Sequence, residues 1–146
     1  MKMNTERKAA WVKALRSGEY KQGDAALRMN DDHEEGKYKY CCLGVLCDLA
    51  QKEKWIEGRW SEGGSGFMAE DKRNYSFPPV EVAKAVYGEE IGVTMPSSVF
   101  TGMDSFNPLV EADGYFHRLS ELNDIGINNN GPLSFNEIAD LIEKQL

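Results

Sequence analysis

Apolar residues near the N-terminus recur at the spacing of an amphipathic helix. Thr5 is of a residue type that caps helices, and Trp11 and Leu15 then lie one turn apart on the same side. Gly18 ends the segment, since glycine is common just past the last turn of a helix. The pattern predicts a first helix over residues 5–17.

The next predicted elements are a hairpin and a central helix. Residues 25–29 and 37–40 have the composition or alternation of strands, and the acidic segment 30–36 between them is typical of a hairpin tip. Residues 41–50 are apolar on nearly every side, which predicts a buried helix. We therefore expect a β-hairpin that leads into a helix at the centre of the fold.

The middle of the chain carries two predicted strands around a glycine-rich loop. Residues 55–60 and 75–77 are rich in aromatic side chains, and Gly-Gly-Ser-Gly occupies 63–66 between them. A proline pair then opens a short helix that stops at Gly88. Residues 88–114 contain frequent glycine and proline, and we predict mostly loop with one short strand near residues 93–95.

Two more helices are predicted near the C-terminus. Leu119 and Leu122 indicate one of them, and Ser134 with Glu137 forms a capping box that begins the last. The order of elements predicts the α+β class. We expect a single compact domain over residues 1–146, with short antiparallel strands packed around the buried central helix and a C-terminal helix.

The composition narrows the class of partner. The 146 residues include 17 lysines and arginines against 24 aspartates and glutamates, a formal charge of −7. DNA or RNA is not an expected partner, because such polymers are held by basic residues that displace counterions from phosphates. A small anionic ligand held by two or three basic residues is compatible with this charge. The absence of a long apolar run or of a secretory signal predicts a soluble cytosolic protein without a membrane partner.

Three cysteines, Cys41, Cys42 and Cys47, fall within seven positions of the predicted central helix. A helix N-terminus lowers the pKa of a thiol, because the peptide dipole favours the thiolate. Papain-like enzymes place their nucleophile there and take a histidine from a later strand as base, so Cys42 (or Cys41) with His117 is a candidate catalytic pair. However, the sequence around His117 predicts the entry of a helix, and buried cysteines commonly fill a core. We prefer the packing interpretation.

Two segments resemble metal-binding loops. His33 lies among four carboxylates at 31–35, within the acidic segment 30–36, although a solvated hairpin tip has the same composition. Residues 126–137 imitate a calcium loop, but Gly126 stands where such a loop needs an aspartate, and Glu137 already belongs to the capping box. We predict neither a metal nor another cofactor.

A candidate ligand site surrounds the glycine-rich loop 63–66. Arg59 and Trp60 precede the loop, and Arg73 and Tyr75 follow it. If the two arms pair, one face offers guanidinium groups for a phosphate and aromatic rings for a base. The alternative is an exposed hairpin with ordinary basic residues.

Four segments carry a resemblance to a known family. They are WVKALRSGEYKQG at 11–23, YCCLGVLCDLA at 40–50, LNDIG at 122–126 and FNEIADLIE at 135–143. Together they resemble a family of small proteins encoded by tailed bacteriophages and prophages. The resemblance covers both ends of the chain and leaves out residues 55–115. It implies a phage gene product in the cytoplasm of the bacterial host.

The resemblance also implies a class of function, by analogy of size and source. Small phage accessory proteins often disarm the host, and one class binds nucleotide signals of bacterial immunity. We therefore expect an anti-defence protein, a homo-oligomer rather than an enzyme, that sequesters a cyclic dinucleotide or a cyclic ADP-ribose isomer. Two alternatives are a cysteine-dependent hydrolase or transferase using Cys42 and His117, and an acidic protein that blocks a host enzyme.

Overall fold

The computed structural model describes residues 2–31, 33–56, 66–69, 72–74, 76–88, 98–101 and 105–146, and these form an α+β fold, as predicted. The helices are α1 (Thr5–Arg16), α2 (Cys42–Gln51), α3 (Val80–Tyr87), α4 (Leu119–Asp124) and α5 (Phe135–Gln145). The strands are β1 (Lys21–Gln22), β2 (Arg28–Asn30), β3 (Tyr38–Tyr40), β4 (Trp55–Ile56), β5 (Gly66–Ala69), β6 (Lys72–Asn74), β7 (Phe100–Thr101), β8 (Ser105–Phe106), β9 (Leu109–Ala112) and β10 (Tyr115–Arg118). None of these helices is long and apolar enough to cross a bilayer.

The described strands form small sheets of two or three. β3 lies between β1 and β2, and Lys39 is opposite Lys21 in the parallel pair and opposite Met29 in the antiparallel pair. β5 lies between β4 and β6 and is antiparallel to both. β7 pairs with β8, and β9 with β10, as antiparallel pairs. Because the sheets are so small, the helices supply most of the buried core.

α2 is the buried centre of the fold, as its apolar sequence predicts. All its residues from 42 to 48 are buried, and α1, α3 and α4 pack around it. Trp11 of α1 donates its Nε1–H to the Cys42 carbonyl oxygen at 2.9 Å. Gly44 lies directly against the backbone of Leu27, and a Cβ at this position would overlap the Leu27 carbonyl oxygen. The missing side chain therefore lets the segment before β2 lie against the helix.

A buried asparagine ties α2 to two other parts of the chain. Asn123 Oδ1 accepts hydrogen bonds from the Cys42 N–H at 3.0 Å and from Gln22 Nε2 at 3.3 Å, and its Nδ2 donates to the Gly23 carbonyl oxygen at 2.8 Å. Gln22 continues the network by accepting from the Phe135 N–H at 3.1 Å. One polar network thus joins β1, α2, α4 and the start of α5.

Both predicted terminal helices are present, and the structure differs from the prediction in the residue that caps α1. α5 begins at the capping box of Ser134 and Glu137, in which both hydrogen bonds are present. α1 is capped by Asn4, whose side chain accepts from the Arg7 N–H at 3.1 Å. The prediction of Thr5 as the cap is therefore wrong, because Thr5 is the first residue of the helix. The two helices pack against each other.

The prediction that residues 88–114 are mostly loop is wrong for the described part of that range, and the short strand predicted near 93–95 lies outside the described residues. β7, β8 and β9 occupy it, and β9 turns directly into β10, where a helix entry was predicted. The turn residues Asp113 and Gly114 have φ of 54° and 82°. Asp-Gly favours a two-residue hairpin turn because both residues adopt positive φ readily. This local signal was sufficient to predict the hairpin.

Candidate functional site

An open groove of about 540 Å³ lies beside the first sheet, close to the C-terminal half of α2. It is lined by Gly18, Glu19, Tyr20, Lys21, Asp31, Glu34, Gly36, Lys37, Tyr38, Tyr40, Asp48 and Lys52, and we call it the tyrosine groove. Its volume is in the range of small-molecule sites, which is about 300–1,000 Å³. Tyr38 and Tyr40 are two residues apart on β3, so they share one side of the strand.

A buried carboxylate holds the tyrosine groove together. Asp48 of α2 accepts the Tyr20 hydroxyl at Oδ2 (2.6 Å) and the Trp55 Nε1–H at Oδ1 (3.0 Å). Lys52 Nζ lies 3.7 Å from the same carboxylate. Burial, together with the hydrogen bond to Asp48, raises the pKa of Tyr20. The Tyr20 hydroxyl therefore stays protonated and continues to donate.

The buried side chain of Arg28 orders the aromatic rings on one side of the tyrosine groove. The Arg28 guanidinium carbon lies 3.9 Å from the centre of the Tyr38 ring and 4.6 Å from that of Trp55. The Tyr40 ring meets Tyr20 edge-on at 5.0 Å and Trp55 at 6.2 Å between ring centres. Such cation–π and edge-to-face contacts stabilise one arrangement of the rings. The aromatic side of the groove is therefore held in place by contacts within the chain.

Asp31, from the acidic segment at the hairpin tip, lies at the rim of the groove and faces Lys21. Its Oδ2 is 2.7 Å from Lys21 Nζ, and its Oδ1 accepts the His33 N–H at 3.0 Å. The hydrogen bond from Lys21, followed by that from the His33 backbone, lowers the pKa of Asp31. Asp32 lies outside the described residues, among which no group of three side chains is placed to hold a metal ion.

A family model described as a domain of unknown function, DUF8296, matches residues 3–146. The chain belongs to the DUF8296 family. No curated protein and no solved structure matches it. The family match spans the whole tyrosine groove, including Tyr20 and Asp48, which come from two of the quoted motifs.

The ligand residues predicted from the sequence fall elsewhere in this DUF8296 domain. Arg59, Trp60 and Tyr75 lie outside the described residues, while Arg73 lies in β6 with its Cα opposite that of Met68 in β5. Among the described strands the two arms do not pair with each other, because β5 lies between β4 and β6 and pairs with both. Gly66, the last residue of the predicted loop, is the first residue of β5.

The three cysteines of the DUF8296 domain are buried. The Cys41 sulfur accepts the Gly44 N–H at 3.3 Å, and the Cys42 thiol donates to the Leu119 carbonyl oxygen at 3.6 Å. Burial raises the pKa of Cys41 to about 12 and also raises the pKa values of Cys42 and Cys47. The expected lowering of the thiol pKa at the helix N-terminus is therefore wrong, because loss of solvation outweighs the helix dipole.

His117 lies on β10 rather than at a helix entry. Its side chain is buried, its Nδ1 is 3.7 Å from Glu121 Oε2, and its Nε2 has no hydrogen-bond partner in the described part of the chain. Since the Cys42 thiol donates to a main-chain carbonyl, Cys42 and His117 share no hydrogen bond within the described residues. The geometry supports the packing interpretation of the cysteines.

This burial predicts slow alkylation of the thiols. At neutral pH, a pKa near 12 reduces the thiolate fraction of Cys41 about a thousand-fold below that of a free cysteine. We expect iodoacetamide to label all three cysteines only after unfolding, as measured by mass spectrometry of the native protein and of a urea-unfolded control. Rapid labelling of native Cys42 at neutral pH would favour the cysteine-enzyme alternative.

Proposed function

We propose that the tyrosine groove binds a small nucleotide-derived ligand and that the protein sequesters this ligand without covalent chemistry. The observation that carries the proposal is the presence of three tyrosines and three lysines in one preorganised groove. Aromatic rings stack on any of the nucleobases, and ammonium groups attract phosphate. Lys37 has no ion pair within the described residues, so its charge is available to a phosphate group.

The charge of the groove limits the kind of ligand. Its three lysines face four carboxylates, Glu19, Asp31, Glu34 and Asp48. Asp31 is paired with Lys21, while Asp48 is bonded to groups of the protein itself. Glu19 and Glu34 are exposed, and their charges repel a polyanion. A ligand with one or two phosphates and at least one base fits this balance better than a nucleic-acid polymer does.

The resemblance to phage proteins supplies the proposed setting. In the cytoplasm of a bacterial host, the immune signals with these properties include cyclic dinucleotides and cyclic ADP-ribose isomers. Sequestration requires tight binding and no reaction. The buried thiols, with their raised pKa values, support binding rather than cysteine catalysis.

Titration calorimetry against cyclic dinucleotides and cyclic ADP-ribose isomers tests this proposal. We expect at least one compound to bind with micromolar or tighter affinity, and we expect Tyr38→Ala to weaken it. Loss of one base–aromatic stack costs about 1–3 kcal/mol, which corresponds to roughly 5- to 150-fold in Kd. Tyr115→Ala removes an exposed tyrosine on β10, outside the groove, and is the matched control.

Three results would contradict the proposal. The first is that no compound binds at micromolar concentration while the protein is folded. The second is that Tyr38→Ala binds as well as the parent chain. The third is that Tyr115→Ala weakens binding as much as Tyr38→Ala does. Thermal unfolding of each variant in the absence of ligand separates a lost contact from a lost fold.

A further inference from the structure

The hairpin of β9 and β10 has two outer edges, and the rest of the chain covers the edge of β9. The Leu109 N–H donates to the Ser98 carbonyl oxygen at 2.7 Å. The Glu111 N–H donates to Gln145 Oε1 at 2.6 Å, and Gln145 Nε2 donates to the Glu111 carbonyl oxygen at 2.7 Å. The Gln145 side chain thus occupies the place of a neighbouring strand along β9.

The register of the hairpin then determines what the edge of β10 offers. Glu111 is opposite Phe116, and Glu111 directs its N–H and carbonyl to Gln145. The two residues therefore form a non-hydrogen-bonded pair of the antiparallel ladder, in which the main-chain groups of both point outward. The N–H and carbonyl of Phe116 point away from β9, and neither has a partner within the described residues.

The same residue is the most exposed large apolar side chain of the described chain. Phe116 is 72% exposed and its neighbour Tyr115 is 66% exposed. An edge strand with open main-chain groups and exposed aromatic side chains is a template for pairing with another strand. Most folds block such an edge with charge, proline or a covering segment. Within the described residues, Gln145 blocks the edge of β9 and leaves the edge of β10 open.

We propose that the β10 edge pairs with the β10 edge of a second copy of this chain, antiparallel and across a two-fold axis centred on Phe116. In that arrangement each Phe116 N–H donates to the carbonyl oxygen of the other Phe116, so both open groups are satisfied at once. Two hairpins become one four-stranded sheet, which is more stable than an isolated two-stranded ribbon.

Side chains favour a second copy over an unrelated strand. The two Phe116 rings lie on the same face and side by side, since directly opposed residues have Cα atoms about 5.5 Å apart. Tyr115 of each copy lies opposite His117 of the other. β10 contains no carboxylate, so two chains of charge −7 meet there without opposing acidic groups. The interface is small, and we expect a weak, concentration-dependent dimer.

Sedimentation velocity over micromolar to millimolar concentrations tests the dimer, and the test is independent of the proposed ligand. We expect the mass to rise from one chain to two as concentration increases. Phe116→Lys should leave a monomer at every concentration, because it replaces the aromatic contact with two positive charges that face each other and repel. Leu49→Lys changes an exposed apolar residue on α2 and should still dimerise. A parent chain that stays monomeric, or a Phe116→Lys variant that dimerises equally well, overturns the proposal.

Amide exchange tests the main-chain pairing directly. In the dimer the Phe116 N–H becomes hydrogen-bonded, so its exchange should slow at least ten-fold between dilute and concentrated samples. The Glu111 N–H is bonded to Gln145 within one chain and should not change with concentration. A dimer in which the Phe116 amide exchanges as fast as in dilute solution contradicts β10 pairing.

Discussion

Replacing Gly44 with alanine is expected to destabilise the fold by about 4 kcal/mol or more, a loss seen only for severe core defects. The added Cβ would overlap the Leu27 carbonyl oxygen, and both partners belong to buried backbone. Neither can move like the end of a flexible side chain. α2 or the segment before β2 has to shift, which opens the packing around the centre of the core. Urea unfolding, followed by tryptophan fluorescence, measures the change in free energy.

Gly36→Ala is the matched control for this prediction. Gly36 has a φ of 78° and open space where a Cβ would lie. Alanine there meets only the backbone penalty for the left-handed region, about 1–2 kcal/mol. If Gly44→Ala is no more destabilising than Gly36→Ala, the Leu27 segment moves aside easily and the close approach does not stabilise the fold.

Gly44 also illustrates what a sequence reveals about the core. The apolar run around it predicts a buried helix, and the helix is present. Glycine weakens a helix by about 1 kcal/mol relative to alanine, so local propensity alone disfavours it at this position. Glycine is needed at position 44 because the backbone of Leu27, seventeen positions earlier in the chain, approaches it closely. A contact between such distant segments cannot be predicted from the local pattern of apolar and polar residues.

Elements specified by short-range chemistry were the predictable ones. The capping box at Ser134 lies within four residues, and the predicted helix begins there. The Asp113-Gly114 turn is equally local, and its signal was present although the surrounding glycines and prolines favoured a loop. β5 was not predictable in this way. It is short, follows a glycine run, and owes its pairing to two other strands.

The candidate site shows the same division. Tyr38 and Tyr40 alternate on a predicted strand, so their common side follows from the sequence. The contact between Tyr20 and Asp48 does not, because it depends on β1 lying parallel to β3 beside α2. The sequence led instead to the basic and aromatic residues around the glycine loop. Trp55, at the start of that region, donates a hydrogen bond to Asp48 of the tyrosine groove.

Asn123→Ala is expected to destabilise the protein by about 2–4 kcal/mol, because it leaves the buried Cys42 N–H without an acceptor and the half-buried Gly23 carbonyl without its donor. The Cys42 N–H loses its acceptor at 3.0 Å, and the Gly23 carbonyl loses its donor at 2.8 Å. Asn136→Ala removes an exposed asparagine from α5 and should change stability by less than about 0.5 kcal/mol. Urea unfolding of both variants, at one pH and salt concentration, makes the comparison.

Asn123→Asp separates the hydrogen bonds from the volume of the side chain. It keeps an acceptor for the Cys42 N–H but loses the amide donor, and it places a second carboxylate where Nδ2 now donates to Asp124 at 2.9 Å. Burial already raises the pKa of Asp124. Two adjacent carboxylates raise a pKa further, so the variant gains stability relative to the parent as pH falls and loses it as pH rises through the raised pKa. A loss of stability for Asn123→Asp that does not vary between pH 4 and 8 would contradict the raised pKa. A loss no larger than that of Asn136→Ala would mean that the network around Asn123 contributes little to holding β1, α2 and α4 together.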